Sequence, residues 1–180
     1  MAAFAAIIAL LTVFPLESAA SAHTSYTAVQ GWWEIYGPKY DIYVFFQAER
    51  HTPVTEDTGP DRFDFIDISV TNHATGTTIR TNVEGIPLTK QDKFAVTPNQ
   101  KFARLDANMQ LPTGFLADGP PAQFRLNINW QAIPNWTGCE EGDELYQGAV
   151  AYGRLTVNGV SYTLPSEKSE CAWVYFTRGR

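Results

Sequence analysis

Three histidines, His23, His51 and His73, are the side chains of this sequence best suited to bind a transition metal. His23 directly follows the small residues 20–22, and cleavage after residue 22 would give it a free α-amine. Its amine and imidazole nitrogens would then suit Cu(II) in a tetragonal site. The second ligand would be His51, at the end of a predicted strand, or His73, in a predicted turn. No motif surrounds them, so we expect no cofactor and keep copper as an alternative.

The first 22 residues have the pattern of a secretory signal peptide. Residues 2–14, AAFAAIIALLTVF, form an apolar run broken only by Thr12, and Ala20 and Ala22 supply an A-x-A cleavage site. The run is shorter than the roughly 20 apolar residues that span a bilayer. We predict a signal peptide at residues 1–22, a secreted or extracytoplasmic location and no membrane span in the mature chain. The alternative is a buried N-terminal helix.

An N-terminal His23 carries the only resemblance to a known family. Together with one further histidine it resembles the copper-binding histidine brace of lytic polysaccharide monooxygenases, which are also built on β-sandwiches. The resemblance covers this one position and implies a copper-binding protein or oxidase. A non-catalytic protein is the favoured expectation, because the sequence lacks G-x-S-x-G, H-E-x-x-H and phosphate-binding glycine motifs.

Two acidic loops are candidate calcium sites. TEDTGPD, residues 55–61, and CEEGDE, residues 139–144, each place several carboxylates near a glycine, and calcium prefers oxygen ligands. The candidate ligands are Glu56, Asp57, Asp61, Glu140, Glu141, Asp143 and Glu144. Neither loop fits the EF-hand pattern. A solvated acidic surface is therefore the favoured interpretation, and calcium is a second alternative cofactor.

Aromatic residues are abundant, with 5 Trp, 8 Tyr and 11 Phe. Strand alternation over residues 28–36, AVQGWWEIY, puts Trp33 on one face and both Trp32 and Tyr36 on the other. Trp136 lies in a predicted loop. We predict that Trp33 is in the core and that Trp32, Tyr36 and Trp136 bind a ligand, because exposed rings stack on sugars or anchor protein interfaces. Ordinary packing between two layers is the alternative for these rings.

Charge and cysteine content limit the partners and the compartment. The formal net charge is −6 with no Lys/Arg cluster, which argues against nucleic acid as a partner because phosphates must be neutralised by cations. The chain has 2 cysteines, Cys139 and Cys171, without a metal-binding spacing. In an exported protein we expect these cysteines to form a disulfide.

Period-two patterns predict an all-β fold. FARLDANMQL at 102–111 and QFRLNINWQA at 123–132 alternate apolar and polar residues, as half-buried strands do. YDIYVFFQA at 40–48 is apolar on both faces, so its second face should meet a ligand or another layer. Asn158-Gly159 and residues 73–76 predict hairpin turns. We expect a single antiparallel β-sandwich, immunoglobulin-like or jelly-roll-like, at residues 23–180, with irregular segments at 49–62, 111–122 and 133–145.

These expectations favour a secreted, non-catalytic β-sandwich that binds a carbohydrate or a protein partner. A copper protein using His23 is the first alternative. A structural component of an envelope or matrix is the second, and it predicts no defined pocket. The identity of the ligand and the oligomeric state do not follow from the residue pattern.

Overall fold

The computed structural model describes residues 25–52, 61–97, 101–134, 145–167 and 173–178. These residues form ten β-strands and one short 3-10 helix, with no α-helix among them, which confirms the predicted all-β class. None of these segments is a helix long and apolar enough to cross a membrane. The strands are β1 Ser25–Tyr36, β2 Tyr40–Thr52, β3 Arg62–Asn72, β4 Thr77–Pro87, β5 Lys93–Val96, β6 Phe102–Thr113, β7 Gly119–Ala132, β8 Leu145–Val157, β9 Val160–Glu167 and β10 Trp173–Arg178.

The strands form two antiparallel sheets that share one strand. Sheet A has the order β4-β3-β2-β1-β10, and sheet B contains β5-β6-β7-β8 with β9 on the other side of β8. Strand β8 connects them, because residues 145–148 pair with β10 and residues 149–157 pair with β7. Two short strands, β9 and β10, therefore follow each other along one edge of β8.

Strand connectivity, which the sequence analysis left open, follows chain order within each of two groups of strands. Strands β1 to β4 pair in chain order, and so do β5 to β9. The non-consecutive pairs join β10 to β1 and to β8. Immunoglobulin-like and jelly-roll domains are built from Greek keys, in which a strand returns by a long connection beside an earlier one. Two meanders bridged by β10 replace that connectivity among the described strands, since each strand within a meander pairs with the next one along the chain.

Both predicted hairpin turns are confirmed. Asn158 and Gly159 have φ values of 48° and 83°, so both central residues adopt the left-handed conformation of a type I′ turn between β8 and β9. The second turn covers residues 73–76 between β3 and β4, and Gly76 has a φ of 65°. The long irregular segment predicted at 111–122 is shorter, because β6 continues to Thr113 and β7 begins at Gly119.

The core follows the predicted alternation. The apolar residues predicted on one face of β6 and β7 are buried in one hydrophobic cluster, except for Ala132, which is partly exposed. The buried residues are Ala103, Leu105, Ala107, Met109, Leu111, Phe124, Leu126, Ile128 and Trp130. Ile66, Ile68 and Val70 of β3 belong to the same cluster. One hydrophobic cluster therefore contains side chains from both sheets.

Two indoles connect the sheets by hydrogen bonds. Trp130 Nε1, on β7, donates to the backbone oxygen of Gln30 on β1 at 2.7 Å. Trp33 Nε1, on β1, donates to the backbone oxygen of Pro165 on β9 at 3.0 Å. Phe46 of β2 packs edge-on against Trp130, with 6.0 Å between ring centroids. The apolar sides of both sheets thus contact each other around these rings.

Candidate functional site

Among the side chains that the structure describes, five aromatic ones lie on the side of sheet A that faces away from the core. We call this surface the aromatic face; its rings are Trp32, Tyr36, Tyr43, Phe45 and Phe65. Trp32 is 40% exposed and Tyr36 is 80% exposed, whereas Trp33 between them is 1% exposed. The predicted burial of Trp33 and exposure of Trp32 are confirmed. The alternation of the strand sets this difference, because successive side chains point to opposite sides of the sheet.

Three of the rings form a continuous row across neighbouring strands. Trp32 pairs with Phe45 across β1 and β2, and their ring centroids are 5.8 Å apart at an angle of 55°. Phe45 also contacts Phe65 of β3, at 4.6 Å and 40°. Such tilted pairs are a favourable arrangement for aromatic rings. Each ring therefore packs against the next, and the three rings form one continuous apolar surface.

Polar groups lie between and beside these rings. Asp67 pairs with Phe45 across β2 and β3, and its Oδ2 accepts hydrogen bonds from Arg80 Nη2 at 3.1 Å and Asn82 Nδ2 at 3.2 Å. Glu34 lies between Trp32 and Tyr36 on β1, and its Oε2 accepts a hydrogen bond from the Tyr36 hydroxyl at 3.4 Å. The aromatic face therefore offers apolar rings and hydrogen-bonding groups side by side.

Tyr43 is the ring most affected by these charges. Partial burial raises the pKa of its hydroxyl, and the carboxylates of Asp67 and Glu34 raise it further. The Tyr43 hydroxyl therefore stays protonated at physiological pH and is available as a hydrogen-bond donor.

Sequence reasoning identified only part of this surface. It selected Trp32 and Tyr36 but did not assign Tyr43, Phe45 and Phe65 to a site. The signal was present, because residues 40–48 are apolar on both faces and their second face was expected to meet a ligand or another layer. Placing these rings beside Trp32 requires the register between strands, which the residue order does not supply.

Several predicted site residues lie outside the described part of the chain. They are Trp136, the metal candidate His23, the cysteines Cys139 and Cys171, and the acidic residues Glu56, Asp57, Glu140, Glu141, Asp143 and Glu144. His51 is described as a backbone position in β2, opposite Tyr26, but its side chain is not. The proposed roles of these residues therefore stay predictions.

His73 is held by a carboxylate. Its Nε2 lies 2.9 Å from Asp41 Oδ2, and this hydrogen bond raises the pKa of the imidazole. The turn that contains His73 adjoins the start of β2, whereas His51 lies near the end of that strand. At about 3.3 Å per residue the two backbone positions are on the order of 35 Å apart. The two histidines cannot share one metal ion.

Asp61, the described member of the first calcium loop, already has a cationic partner. Its Oδ2 lies 2.6 Å from Arg50 Nη2, and Arg50 Nε also donates to the same oxygen at 2.8 Å. The guanidinium supplies the positive charge that a calcium ion would bring. Within the described segments no three His, Cys, Asp or Glu side chains are grouped so that they could hold a metal ion.

Comparison with known proteins identifies no relative. No family model, curated protein or solved structure matches this chain. The chemistry of the chain's own side chains is therefore the basis for its function. Of the residues predicted to bind a ligand, Trp32 and Tyr36 are described and exposed, and both lie on the aromatic face.

Proposed function

We propose that the protein is an exported, non-catalytic β-sandwich that binds carbohydrate through its aromatic face. The observation that carries this proposal is the row of rings on the outside of sheet A, with carboxylate, amide and guanidinium groups beside it. A hexose ring has an apolar face of C–H groups and a periphery of hydroxyls. An aromatic ring covers the former, and neighbouring polar groups bind the latter.

The proposed sandwich is supported by the contacts between the sheets. The hydrogen bond from the Trp130 indole to the Gln30 backbone oxygen and the contact of the Phe46 ring with Trp130 join the two layers. In a sandwich each sheet buries one face and exposes the other. The aromatic face would then lie on the outer side of one layer, accessible to a large ligand.

The dimensions of the aromatic face suit an extended glycan. Trp32 and Tyr36 are four residues apart on β1, which is about 13 Å along a strand. Rings on β1, β2 and β3 extend the surface across two strand spacings, about 10 Å. A flat surface of this size suits the side of a polysaccharide chain better than a small molecule, which binds in a concave pocket.

A protein partner is a poorer match for this face. The centres of protein–protein interfaces are depleted of Asp, Glu and Lys, because burying an imperfectly paired charge is costly. Glu34 and Asp67 lie among the rings rather than at their rim. Both carboxylates would stay hydrated against a sugar, whose hydroxyls also donate hydrogen bonds to them.

Binding to polysaccharides tests the proposal directly. The purified protein is assayed on insoluble cellulose and chitin and, by affinity electrophoresis, on soluble xylan and mixed-linkage β-glucan. We expect retention by at least one of them. Trp32→Ala and Tyr36→Ala should each weaken retention about three- to tenfold, the value of one aromatic contact.

Two control variants sharpen this test. Trp32→Phe keeps a ring and should keep most of the binding, and Phe102→Ala removes a ring that is 51% exposed on sheet B and should leave binding unchanged. If none of the four polysaccharides is retained, or if Trp32→Ala binds as well as the unmodified protein, the proposal is wrong.

The exported form can be examined in the same preparation. Expression of the full gene with recovery of the secreted protein should give a chain that begins at His23. Its intact mass should be two hydrogens lower before reduction than after, as expected for a disulfide between Cys139 and Cys171. An N-terminus elsewhere would remove the copper-brace alternative, and two free thiols in the unreduced protein would contradict the disulfide.

A further inference from the structure

Sheet B carries a second outward surface whose chemistry differs from that of the aromatic face. We call it the polar face; it comprises the outward side chains Arg104, Asp106, Arg125, Asn127, Tyr152 and Arg154. Pairing across β6, β7 and β8 aligns Asp106 with Asn127 and Arg154 in one row. The neighbouring row runs from Arg104 to Tyr152. The sequence analysis predicted a polar, solvent-exposed side for β6 and β7 but assigned it no role.

Cations outnumber anions on this face, although the whole chain carries a net charge of −6. Arg125 is paired, because its Nε and Nη2 donate to the two oxygens of Asp106 at 3.1 and 3.2 Å. Arg104 Nη2 lies 3.8 Å from the same carboxylate. Asp92, at the rim, accepts backbone N–H groups. The Arg154 side chain is exposed and forms no ion pair or hydrogen bond with the described residues, whereas its backbone lies in the sheet between β7 and β9.

A shallow depression of about 640 Å³ brings Arg154 together with other hydrogen-bonding groups. Asn127, Arg125, Thr156 and Ser161 also line it, and the hydroxyls of the last two lie 3.0 Å apart. The depression therefore combines guanidinium, amide and hydroxyl groups. Guanidinium groups bind carboxylate and sulfate through paired N–H donors, and the hydroxyls and amide can bind the hydroxyls of a sugar.

An adjacent depression of about 400 Å³ supplies an aromatic ring. Tyr152 lines it together with Arg104 and Asn129, and its side chain is 42% exposed. Tyr152 and Arg154 are two residues apart on the same side of β8, a spacing of about 7 Å. One strand thus presents a stacking ring beside a cation that has no partner among the described residues.

We propose that the polar face binds an acidic saccharide, a glycan with carboxylate or sulfate groups, through pairing of Arg154 with the anion and stacking of Tyr152 on the sugar ring. Charge complementarity favours an anionic ligand, because Arg154, which has no ion-pair partner among the described residues, lies beside the partly neutralised Arg104 and Arg125. The ring and the amide select a saccharide rather than a bare anion. This site is on the other sheet and does not depend on carbohydrate binding by the aromatic face.

The test uses the purified full protein and three polymers at low ionic strength. Polygalacturonate supplies carboxylates, dextran sulfate supplies sulfates, and dextran is the uncharged reference. We expect one or both polyanions to bind and dextran not to bind. Arg154→Gln should weaken binding about tenfold, as expected for the loss of a charged hydrogen-bond partner. Lys39→Gln removes one exposed positive charge from the turn between β1 and β2 of sheet A and should leave binding unchanged.

Aromatic variants separate this site from the aromatic face. Tyr152→Ala should weaken polyanion binding, whereas Phe115→Ala, which removes a ring that is 75% exposed in the 3-10 helix, should not. Trp32→Ala should also retain polyanion binding, so failure of either carbohydrate proposal is distinguishable from failure of the other. Circular dichroism of each variant confirms that it is folded.

Three results would overturn the inference. The first is the absence of binding to both polyanions. The second is equal weakening by Arg154→Gln and Lys39→Gln, which would indicate attraction by overall charge alone. The third is complete displacement of the polymer by inorganic sulfate at the same anion concentration, which would mean that the sugar contributes nothing.

Discussion

Neighbouring tryptophans on β1 give the sharpest test of the arrangement of sheet A. Trp33 is 1% exposed, stacks on Phe46 with centroids 6.4 Å apart, and donates its indole N–H to Pro165. Its ring also lies over Gly31, where an added Cβ would be 2.5 Å from Trp33 Cζ3. Trp32 is 40% exposed and contacts Phe45. Replacing each tryptophan by alanine should therefore have very different effects on stability.

The expected losses in the free energy of unfolding follow from these contacts. Removing a fully buried aromatic side chain costs about 3–5 kcal/mol, and leaving the Pro165 oxygen without its donor adds about 1 kcal/mol. Trp33→Ala should thus lower the free energy of unfolding by about 4–6 kcal/mol, which corresponds to a fall in Tm of roughly 10–20 °C for a domain of this size. Trp32→Ala loses mainly one ring contact, worth about 1 kcal/mol.

Thermal and urea unfolding followed by circular dichroism measure both effects without depending on tryptophan fluorescence. Trp33→Phe is the companion variant, because it keeps an aromatic ring but lacks the indole N–H, and it should cost about 2 kcal/mol if the hydrogen bond to Pro165 and the volume both matter. Equal destabilisation by Trp32→Ala and Trp33→Ala would refute the reasoning. It would mean that β1 is covered on both sides and that Trp32 has no surface on which to bind a ligand.

Three further changes test local features. Gly153→Ala should lower the thermal unfolding temperature by several degrees, because the new Cβ would overlap a backbone oxygen of β7; an unchanged Tm would contradict that close approach. Asp41→Asn should lower the raised pKa of His73, as measured by NMR titration. In the unmodified protein the pair stabilises the fold below pH 6.5, and this contribution disappears as pH rises through the raised pKa. Equal His73 pKa values in the two proteins would disprove the role of Asp41. Hydrogen bonding from Arg125 lowers the pKa of Asp106 below 3.8, so the pair stabilises the fold above that pH and this contribution is lost as pH falls through the lowered pKa. Arg125→Gln should therefore lower the free energy of unfolding near neutral pH. Unchanged urea unfolding at pH 6 would count against this role of Arg125.

Features with a local cause were predictable. The alternating segments at 102–111 and 123–132 became β6 and β7 with the expected sides buried, because a strand turns successive side chains to opposite faces. Asn158-Gly159 formed its turn because these residues adopt positive φ at low cost. The exposure of Trp32 beside a buried Trp33 followed from the same period-two rule.

Features that depend on distant segments were not predictable. The sequence analysis expected an immunoglobulin-like or jelly-roll-like sandwich and assigned no strand order; in the structure the strands of each meander pair in chain order, and β10 bridges β1 and β8. Which strands β10 joins depends on which strand edges the two meanders leave unpaired. The irregular segment at 111–122 was overestimated for a similar reason, because pairing with the neighbouring strand extends β6 and β7 beyond their clear alternation.

Residue order by itself determined the all-β class and which side of most strands faces the core, since both depend on side-chain periodicity within a few residues. Tertiary structure alone decided which side chains share a surface. The contact of Trp32 with Phe45 and Phe65, and the alignment of Asp106, 21 residues before Asn127, with that asparagine and with Arg154, arise from the pairing register of separate strands. A shift of one residue in a register would move a strand's outward side chains to the opposite face, so both proposed binding surfaces depend on the packing of the whole core.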